Sequence, residues 1–148
     1  MAKLFLGVEL EVECKGVDRT DSAEQWLEGN GGWTICKADS TIDDGYEIVT
    51  APMSLTEHQC RWALAMQDDA WRKGVRSWDT TICGLHVHVS RAPLAPLTIG
   101  KIVCFMNSLA TRDNIIKLAG RDTFYNGNYD ARKAVKNHDD LLANTLPK

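Results

Sequence analysis

Three stretches of the chain alternate apolar and polar residues, which is the pattern of a β-strand with one buried face. They cover residues 3–13, 46–51 and 81–90. The polar positions are Glu9, Glu11 and Glu13 in the first stretch, Glu47 in the second, and His86, His88 and Ser90 in the third. We expect these strands to share one sheet, with their carboxylates and imidazoles together on one face.

A turn signal predicts a hairpin. An Asp-Asp-Gly sequence at residues 43–45 separates residues 33–39, which have strand character, from the strand at 46–51. The sequence thus predicts about four strands. Residues 29–32 are rich in glycine but lack the strand-before, helix-after context of a phosphate-binding loop, so we interpret them as a connection.

Capping and termination signals predict three helices. Ser22 and Ser54 each begin a capping box, which predicts a short helix over residues 23–28 and a longer one that runs to about residue 73. A third helix is predicted over residues 98–119. The glycines expected to end the two long helices are Gly74 and Gly120.

The elements combine into a prediction of fold class. Residues 91–96 contain two prolines and are expected to be irregular. The two long helices offer apolar faces to the back of the sheet. We predict one α+β domain over residues 1–148, with a mainly antiparallel sheet, helices packed on one face and the acidic and histidine residues on the other.

Composition narrows the class of protein. At 148 residues, 44% hydrophobic and 25% charged, the chain resembles an ordinary globular domain. A net charge of -3 gives no overall attraction for nucleic acid. A nucleic-acid-binding role would have only the basic group Arg132, Lys133 and Lys136 in its favour, and a solvated helix face explains those residues as well. The sequence contains neither a signal peptide nor about 20 consecutive apolar residues, so we expect a cytoplasmic protein without nucleic-acid or membrane partners.

The cysteines give no sign of disulfides or of a zinc site. They are odd in number, widely spaced and never form a Cys-x-x-Cys pair. Each lies in or beside an apolar run, so we expect reduced and mostly buried thiols. The five are Cys14, Cys36, Cys60, Cys83 and Cys104.

Carboxylates and imidazoles that converge on one sheet face need a counter-ion, because like charges a few ångströms apart repel. A donor set rich in carboxylate suits Mg²⁺ or Mn²⁺. Glu9 and Glu11 are about 6.6 Å apart along a strand, a spacing suited to two neighbouring ions, and such pairs serve phosphate chemistry. The alternatives are that the glutamates form the wet face of an edge strand and that one histidine is a satisfied core residue.

The alternating Gly84, His86, His88 and Ser90 resemble the glycine-x-histidine-x-histidine-x-serine motif of the glutamine synthetase superfamily. With the glutamate-bearing strands before it, the order of motifs is similar to the amidoligase branch of carboxylate-amine ligases, over about residues 4–125. The resemblance implies a glutamine synthetase-like catalytic domain with a curved, mainly antiparallel sheet. It also implies that ATP phosphorylates a substrate carboxylate and that an amine then displaces phosphate to give an amide.

The resemblance also implies roles for individual residues. The residues implied to hold Mg²⁺ or Mn²⁺ against ATP are Glu9, Glu11, Glu47 and His86. Those implied to contact the nucleotide are His88, Ser90 and Asp39, with His88 near the transferring phosphate. Arg91 and Arg121 are candidates for contacts to phosphate or substrate carboxylate, and the alternative is that both are ordinary surface arginines.

Members of this family are generally longer and add further strands, one with a glutamate-x-arginine pattern that completes the site. We therefore expect this chain to correspond to the N-terminal part of the usual catalytic domain, so that the domain is incomplete here. The substrates would be a small-molecule or peptide carboxylate and an amine. A second copy or a complementing chain is expected at an open sheet edge. The alternatives are a non-catalytic half-domain and a cupin-like barrel, and the absence of glutamate from residues 89–97 speaks against the cupin.

Overall fold

The computed structural model describes residues 3–107, 114 and 117. The chain divides into two compact units, Met1–Ala92 and Pro93–Lys148. The first unit contains a sheet and three helices, and the second contains one helix within the described residues. The prediction of one domain over residues 1–148 stays a prediction.

Five described strands form an antiparallel sheet in the first unit, so the α+β class and the antiparallel sheet are confirmed. They are β1 (Leu6–Cys14), β2 (Thr34–Lys37), β3 (Gly45–Thr50), β4 (Val75–Arg76) and β5 (Leu85–Val89). β1 is central, because it pairs with β3 along one edge and with β5 and then β4 along the other. β2 pairs with β3, as the predicted hairpin requires. The short β4 is the strand that the sequence did not predict.

Four helices lie in the described residues. They are α1 (Arg19–Asn30), α2 (Leu55–Ala65), α3 (Asp69–Gly74) and α4 (Pro96–Asn107). The capping box predicted for α2 is confirmed, because the Glu57 amide donates to Ser54 Oγ at 3.2 Å and the Ser54 amide donates to Glu57 Oε2 at 2.9 Å. None of the described helices has both the length and the apolar character needed to cross a bilayer.

The capping box predicted at Ser22 is wrong. α1 begins earlier, and Asp18 is its N-cap, accepting hydrogen bonds from the amides of Thr20 at 2.7 Å and Asp21 at 3.3 Å. Ser22 is buried inside the helix, where its hydroxyl shares a hydrogen bond with the Tyr46 hydroxyl at 3.0 Å. A buried tertiary partner therefore takes the hydroxyl that the local pattern assigned to a cap.

The long helix predicted to reach residue 73 is interrupted. α2 ends at Ala65, and the Asp68 carboxylate then accepts a hydrogen bond from the Trp71 amide at 3.0 Å, which starts α3 as a new helix. Gly74 is the last residue of α3 and not a C-cap, because the extended Val75 follows it directly and opens β4.

The start of α4 also differs from the prediction. Pro96 was expected to be irregular but is the first helical residue, a position where the missing proline N–H has no helical partner to lose. The amides of Thr98 and Ile99 both donate to the Ala95 carbonyl, which anchors this first turn. The end predicted for this helix, at residues 119–120, lies outside the described residues.

Four tryptophans fill the core beneath β1 and β3. They pack with ring centroids 4.5 to 6.2 Å apart, and Trp33 meets Trp62 edge to face at 5.4 Å. The four are Trp26, Trp33, Trp62 and Trp71, and the strand residues buried against them include Val12, Tyr46 and Ile48. This cluster joins α1, α2 and α3 to one face of the sheet.

Two of the indole N–H groups in this core have hydrogen-bond partners on the strands. Trp26 Nε1 donates to Thr34 Oγ1 at 2.9 Å, and Trp71 Nε1 donates to the Tyr46 hydroxyl at 2.8 Å. Because a buried N–H without a partner costs about 1–3 kcal/mol, these bonds fix which aromatic ring occupies which place. The core therefore specifies the arrangement of α1 and α3 on the strands.

Two predictions about burial are wrong in part. The apolar side chains of β5 were expected to be covered, but Leu85, Val87 and Val89 are 60%, 58% and 43% exposed. All five cysteines are free, as expected, yet Cys60 and Cys104 are exposed.

Candidate metal centre

The register of the sheet sets two carboxylates directly opposite each other. Glu11 of β1 is the cross-strand partner of Glu47 of β3. The Glu11 amide points away from β3 and donates to the Gly84 carbonyl at 3.0 Å. The two glutamates therefore form a non-hydrogen-bonded pair, the kind in which side chains stand closest. Like charges in this position destabilise a sheet unless something compensates them.

Asp39 adds a third carboxylate to this pair. One carboxylate oxygen from each of Glu11, Asp39 and Glu47 lies within 4.8 Å of the others, and we call these residues the carboxylate cluster. Asp39 follows β2 and is held by Thr41, whose amide and hydroxyl donate to its Oδ1 at 2.7 and 2.8 Å. The backbone hydrogen bond, followed by that of the hydroxyl, holds the pKa of the Asp39 carboxyl below its ordinary value.

Glu9 stands between two imidazoles beside the cluster. His86 Nδ1 is 3.2 Å from Glu9 Oε2, and His88 Nε2 is 3.4 Å from Glu9 Oε1. We call these three residues the Glu9–histidine group. The hydrogen bond with His86 is the largest influence on the Glu9 carboxyl and lowers its pKa against the opposing effect of burial. Glu9 therefore remains an anion at neutral pH.

The His86 ring connects the two groups. Its Nε2 lies 3.9 Å from Glu11 Oε1, on the side of the ring away from Glu9. Since the Glu9 carboxylate only accepts, the hydrogen on a neutral His86 ring is on Nδ1, and Nε2 then presents a lone pair towards Glu11. Metal-binding histidines show this arrangement, with one nitrogen donating to a carboxylate and the other left for the ion.

Burial makes Glu11 the residue that most needs a cation. It is only 7% exposed, and His86 Nε2 lies 3.9 Å from its Oε1, beyond hydrogen-bond distance. An ionised carboxylate in such a place costs several kcal/mol unless it is paired or binds metal. Its oxygen lies among those of Asp39 and Glu47. The donor set and the burial together fit a hard divalent ion.

Lys37 is a member of this face that the sequence-based prediction missed. It is the cross-strand partner of Glu47, and its Nζ lies 2.9 Å from Glu47 Oε2. The hydrogen bond and the charge of Glu47 raise the pKa of the Lys37 ammonium. The two-residue period could have found it, because Lys37 is two positions before Asp39 in the strand predicted over residues 33–39, and alternate residues of a strand share a face.

The alternative explanation for the glutamates of β1, a solvent-exposed strand face without a metal, fits Glu13. It forms an ion pair with its cross-strand partner Arg76, with Nε 2.6 Å from Oε2, and it belongs to neither group. The wet face of an edge strand does not account for Glu9 and Glu11, since β1 is paired on both sides.

The remaining predicted residues lie apart from these carboxylates or outside the described residues. Ser90 continues the β1–β5 pairing, because its Oγ accepts from the Phe5 amide and its own amide donates to the Phe5 carbonyl, both at 2.9 Å. Arg91 is exposed just after β5, and no described carboxylate pairs with it. Arg121 lies outside the described residues. The structure thus brings together Glu9, Glu11, Asp39, Glu47, His86 and His88.

Comparison of the chain with protein-family models, with curated proteins and with solved structures finds no match. The chemistry of the carboxylate cluster and the Glu9–histidine group is therefore the basis for the function proposed below.

Proposed function

We propose that the chain is an ATP-dependent ligase that forms an amide bond between a carboxylate and an amine, in a glutamine synthetase-like catalytic domain. One observation carries the proposal: a cluster of three carboxylates lies beside a carboxylate held between two imidazoles. Such donors suit Mg²⁺ or Mn²⁺, and paired ions of this kind serve phosphate chemistry. The resemblance to the amidoligases, which rests largely on the same residues, agrees with this proposal.

Each group of side chains would hold one ion. Glu11, Asp39 and Glu47 would bind the first, with His86 Nε2 on the Glu11 side, and Glu9 would bind the second. Asp39, which the resemblance assigned to the nucleotide, is instead proposed as a metal ligand, because its carboxylate oxygen lies within 4.8 Å of those of the two glutamates. Metal ions held by these residues would supply positive charge where negative charge develops on a transferred phosphoryl group.

Other side chains of this region would contact the substrates. His88 is 62% exposed and can offer a ring N–H to a phosphate oxygen. The Ser90 hydroxyl accepts from Phe5, which leaves its own hydrogen free for the nucleotide. Arg91 and Arg121 are the proposed guanidinium contacts to phosphate or to substrate carboxylate, since a guanidinium grips either with two hydrogen bonds.

The proposed reaction has two steps. The substrate carboxylate oxygen attacks the γ-phosphorus of ATP, ADP leaves, and an acyl phosphate forms. The amine nitrogen then attacks the acyl carbon, inorganic phosphate leaves, and the amine loses a proton. No side chain acts as a nucleophile. The substrates would be a small-molecule or peptide carboxylate and an amine, and the free cysteines agree with a cytoplasmic setting, where ATP and Mg²⁺ are available.

Calorimetric titration with a non-hydrolysable ATP analogue and Mg²⁺ or Mn²⁺ tests the proposal. The wild-type chain is expected to bind the analogue only when the ion is present. Glu9→Gln and His86→Ala are each expected to lose this binding while remaining folded. Glu13→Gln is the matched control, because it removes a charge from the same strand outside both groups. Equal metal-dependent binding by all four proteins would contradict the proposal.

The exposure of β5 favours a second candidate, a non-catalytic or partner-dependent half-domain. β5 pairs only with β1 among the described strands, which leaves its outer edge unpaired there, and Leu85, Val87 and Val89 on its apolar face are exposed. Such an edge accepts a further strand from a second copy or from a complementing chain. Sedimentation at high concentration separates the candidates: nucleotide binding that appears only with self-association supports the half-domain, and full binding by a monomer contradicts it.

A further inference from the structure

We infer that Lys37 acts as a counter-ion of the carboxylate cluster. Its ammonium competes with a bare divalent ion for Glu47. When the ion arrives bound to a nucleotide, the ammonium instead contacts the phosphate of that nucleotide. The inference rests on the proposed function and adds to it a residue that discriminates between a free ion and an ion bound to nucleotide. It follows from three observations: the position of the ammonium, the number of charges on this face, and the exposure of the side chain.

The ammonium occupies one oxygen of a proposed metal ligand. Lys37 and Glu47 are direct cross-strand partners, so the pairing of β2 with β3 sets their side chains beside each other. Lys37 Nζ is 2.9 Å from Glu47 Oε2. Glu47 is also one of the three residues whose oxygens lie within 4.8 Å of one another. An ion that takes both Glu47 oxygens must therefore displace the ammonium.

The charges on this face explain why a lysine stands there. Four carboxylates, those of Glu9, Glu11, Asp39 and Glu47, face two histidines and one lysine, so negative charge is in excess whenever the histidines are neutral. The Lys37 ammonium reduces the repulsion between Glu47 and its neighbours when no ion is bound. The same positive charge repels an arriving cation, so it lowers the affinity for a bare divalent ion.

The exposure of Lys37 lets the side chain change partners. It is 46% exposed, whereas the Glu47 side chain is only 12% exposed, so the lysine can leave while the carboxylate stays. Nothing in the tryptophan core has to move. An ion that arrives with a polyphosphate brings negative oxygens, and the displaced ammonium then has a new partner. Lys37 thus opposes the free ion and favours the ion–nucleotide complex.

Titration of Mn²⁺ followed by the electron paramagnetic resonance signal of the free ion tests the competition. Lys37→Met is expected to bind bare Mn²⁺ about two- to fivefold more tightly than wild type, the range for loss of one exposed charge. In saturating Mn²⁺, calorimetry is expected to show that the same variant binds the ATP analogue more weakly by a similar factor. The opposite signs of the two changes distinguish competition from general damage to the site.

Two control variants make the outcome decisive. Lys37→Arg keeps the charge and is expected to bind Mn²⁺ as wild type does. Arg76→Met also removes one positive charge from a cross-strand ion pair of the same sheet, but at Glu13, and is expected to change neither titration. If wild type binds Mn²⁺ and Lys37→Met binds Mn²⁺ and the ATP analogue as wild type does, the inference about Lys37 is wrong but the proposed metal site stands. Absence of Mn²⁺ binding in every variant would overturn the proposed metal site as well.

Discussion

On one face of the sheet, Val12, Tyr46 and Ile48 are buried against four tryptophans. On the other face of the same strands, Glu11 and Glu47 stand opposite each other, and His86 Nε2 lies 3.9 Å from Glu11 Oε1, beyond hydrogen-bond distance. The core face is closed, since its indoles pack against one another and those of Trp26 and Trp71 also have hydrogen-bond partners. The acidic face is open, and its charges remain in excess of its cations.

Stability and the proposed ion binding depend on opposite faces of the same sheet. A tryptophan core can hold β1 and β3 rigidly enough to keep two like charges opposite each other, which the acidic face by itself would oppose. Changes to the core should therefore lower stability, whereas changes to the acidic face should remove ion binding at little cost in stability. The predictions below test this separation.

The largest effect is expected at the centre of the core. Trp26 is 1% exposed and contacts the other three tryptophans of the cluster. Trp26→Ala should lower the free energy of unfolding by about 3–5 kcal/mol, measured by urea denaturation. Trp78 is 69% exposed, and Trp78→Ala should cost less than about 0.5 kcal/mol. Similar losses for the two variants would show that the cluster is not the core.

A smaller loss is expected from the buried hydroxyl of Tyr46. Tyr46→Phe leaves the Trp71 indole N–H and the Ser22 hydroxyl without their partner. The free energy of unfolding should fall by about 1–3 kcal/mol, the cost of an unsatisfied buried polar group. In the background of Trp71→Phe the same change should cost less, because one of the two orphaned groups is then absent. Equal costs in both backgrounds would rule out the indole bond.

A substitution on the acidic face should not lower the free energy of unfolding as the core substitutions do. Glu11→Gln removes one of two like charges that face each other, so without metal the variant should be as stable as wild type or more stable by up to about 1 kcal/mol. In excess Mn²⁺ only wild type should gain stability, by about 2.7 kcal/mol when the ion is at 100 times its dissociation constant. Thermal unfolding with and without Mn²⁺ measures both. A Glu11→Gln variant that gains as much from Mn²⁺ as wild type would exclude Glu11 as a ligand.

The smallest effect is expected at Asp18, the N-cap of α1, which belongs to neither the tryptophan core nor the acidic face. Amide donors hold the pKa of the Asp18 carboxyl below its ordinary value. Its stabilising contribution is therefore complete above that ordinary value, about 4, and is lost as the pH falls through the lowered folded value. Asp18→Asn keeps an acceptor for both amides but does not titrate, so it should lose less stability between pH 7 and 3. Identical pH profiles would contradict this assignment.

The strands and their polar face followed from the sequence because alternation has a period that a strand imposes directly. Glu9, Glu11, Glu47 and His86 were identified in this way. The two-residue period could have put Lys37 on this face, but its pairing with Glu47 depends on the register between β2 and β3, which a hydrophobic pattern does not specify. Asp39 was named, but its proximity to Glu11 and Glu47 arises from a turn held by Thr41.

The helix errors share a different physical origin. At Ser22 the local signal for a cap competed with a buried partner, Tyr46, that only the folded chain supplies. At Asp68 the reverse occurred, since a strong cap interrupted a segment whose apolar pattern had predicted one continuous helix. The tryptophan cluster could not be predicted from local sequence patterns either, because its residues come from α1, α2, α3 and the loop before β2.

The most direct test of the central claim is equilibrium dialysis of the purified chain against Mn²⁺, with the bound ion counted per chain. We predict saturable binding by wild type that is lost in Glu11→Gln and in Glu47→Gln. Binding should persist in Glu13→Gln, because the carboxylate removed there is paired with Arg76 in the wild-type chain. No saturable binding by wild type, or equal binding by all four proteins, would contradict the assignment of the acidic face as a metal centre.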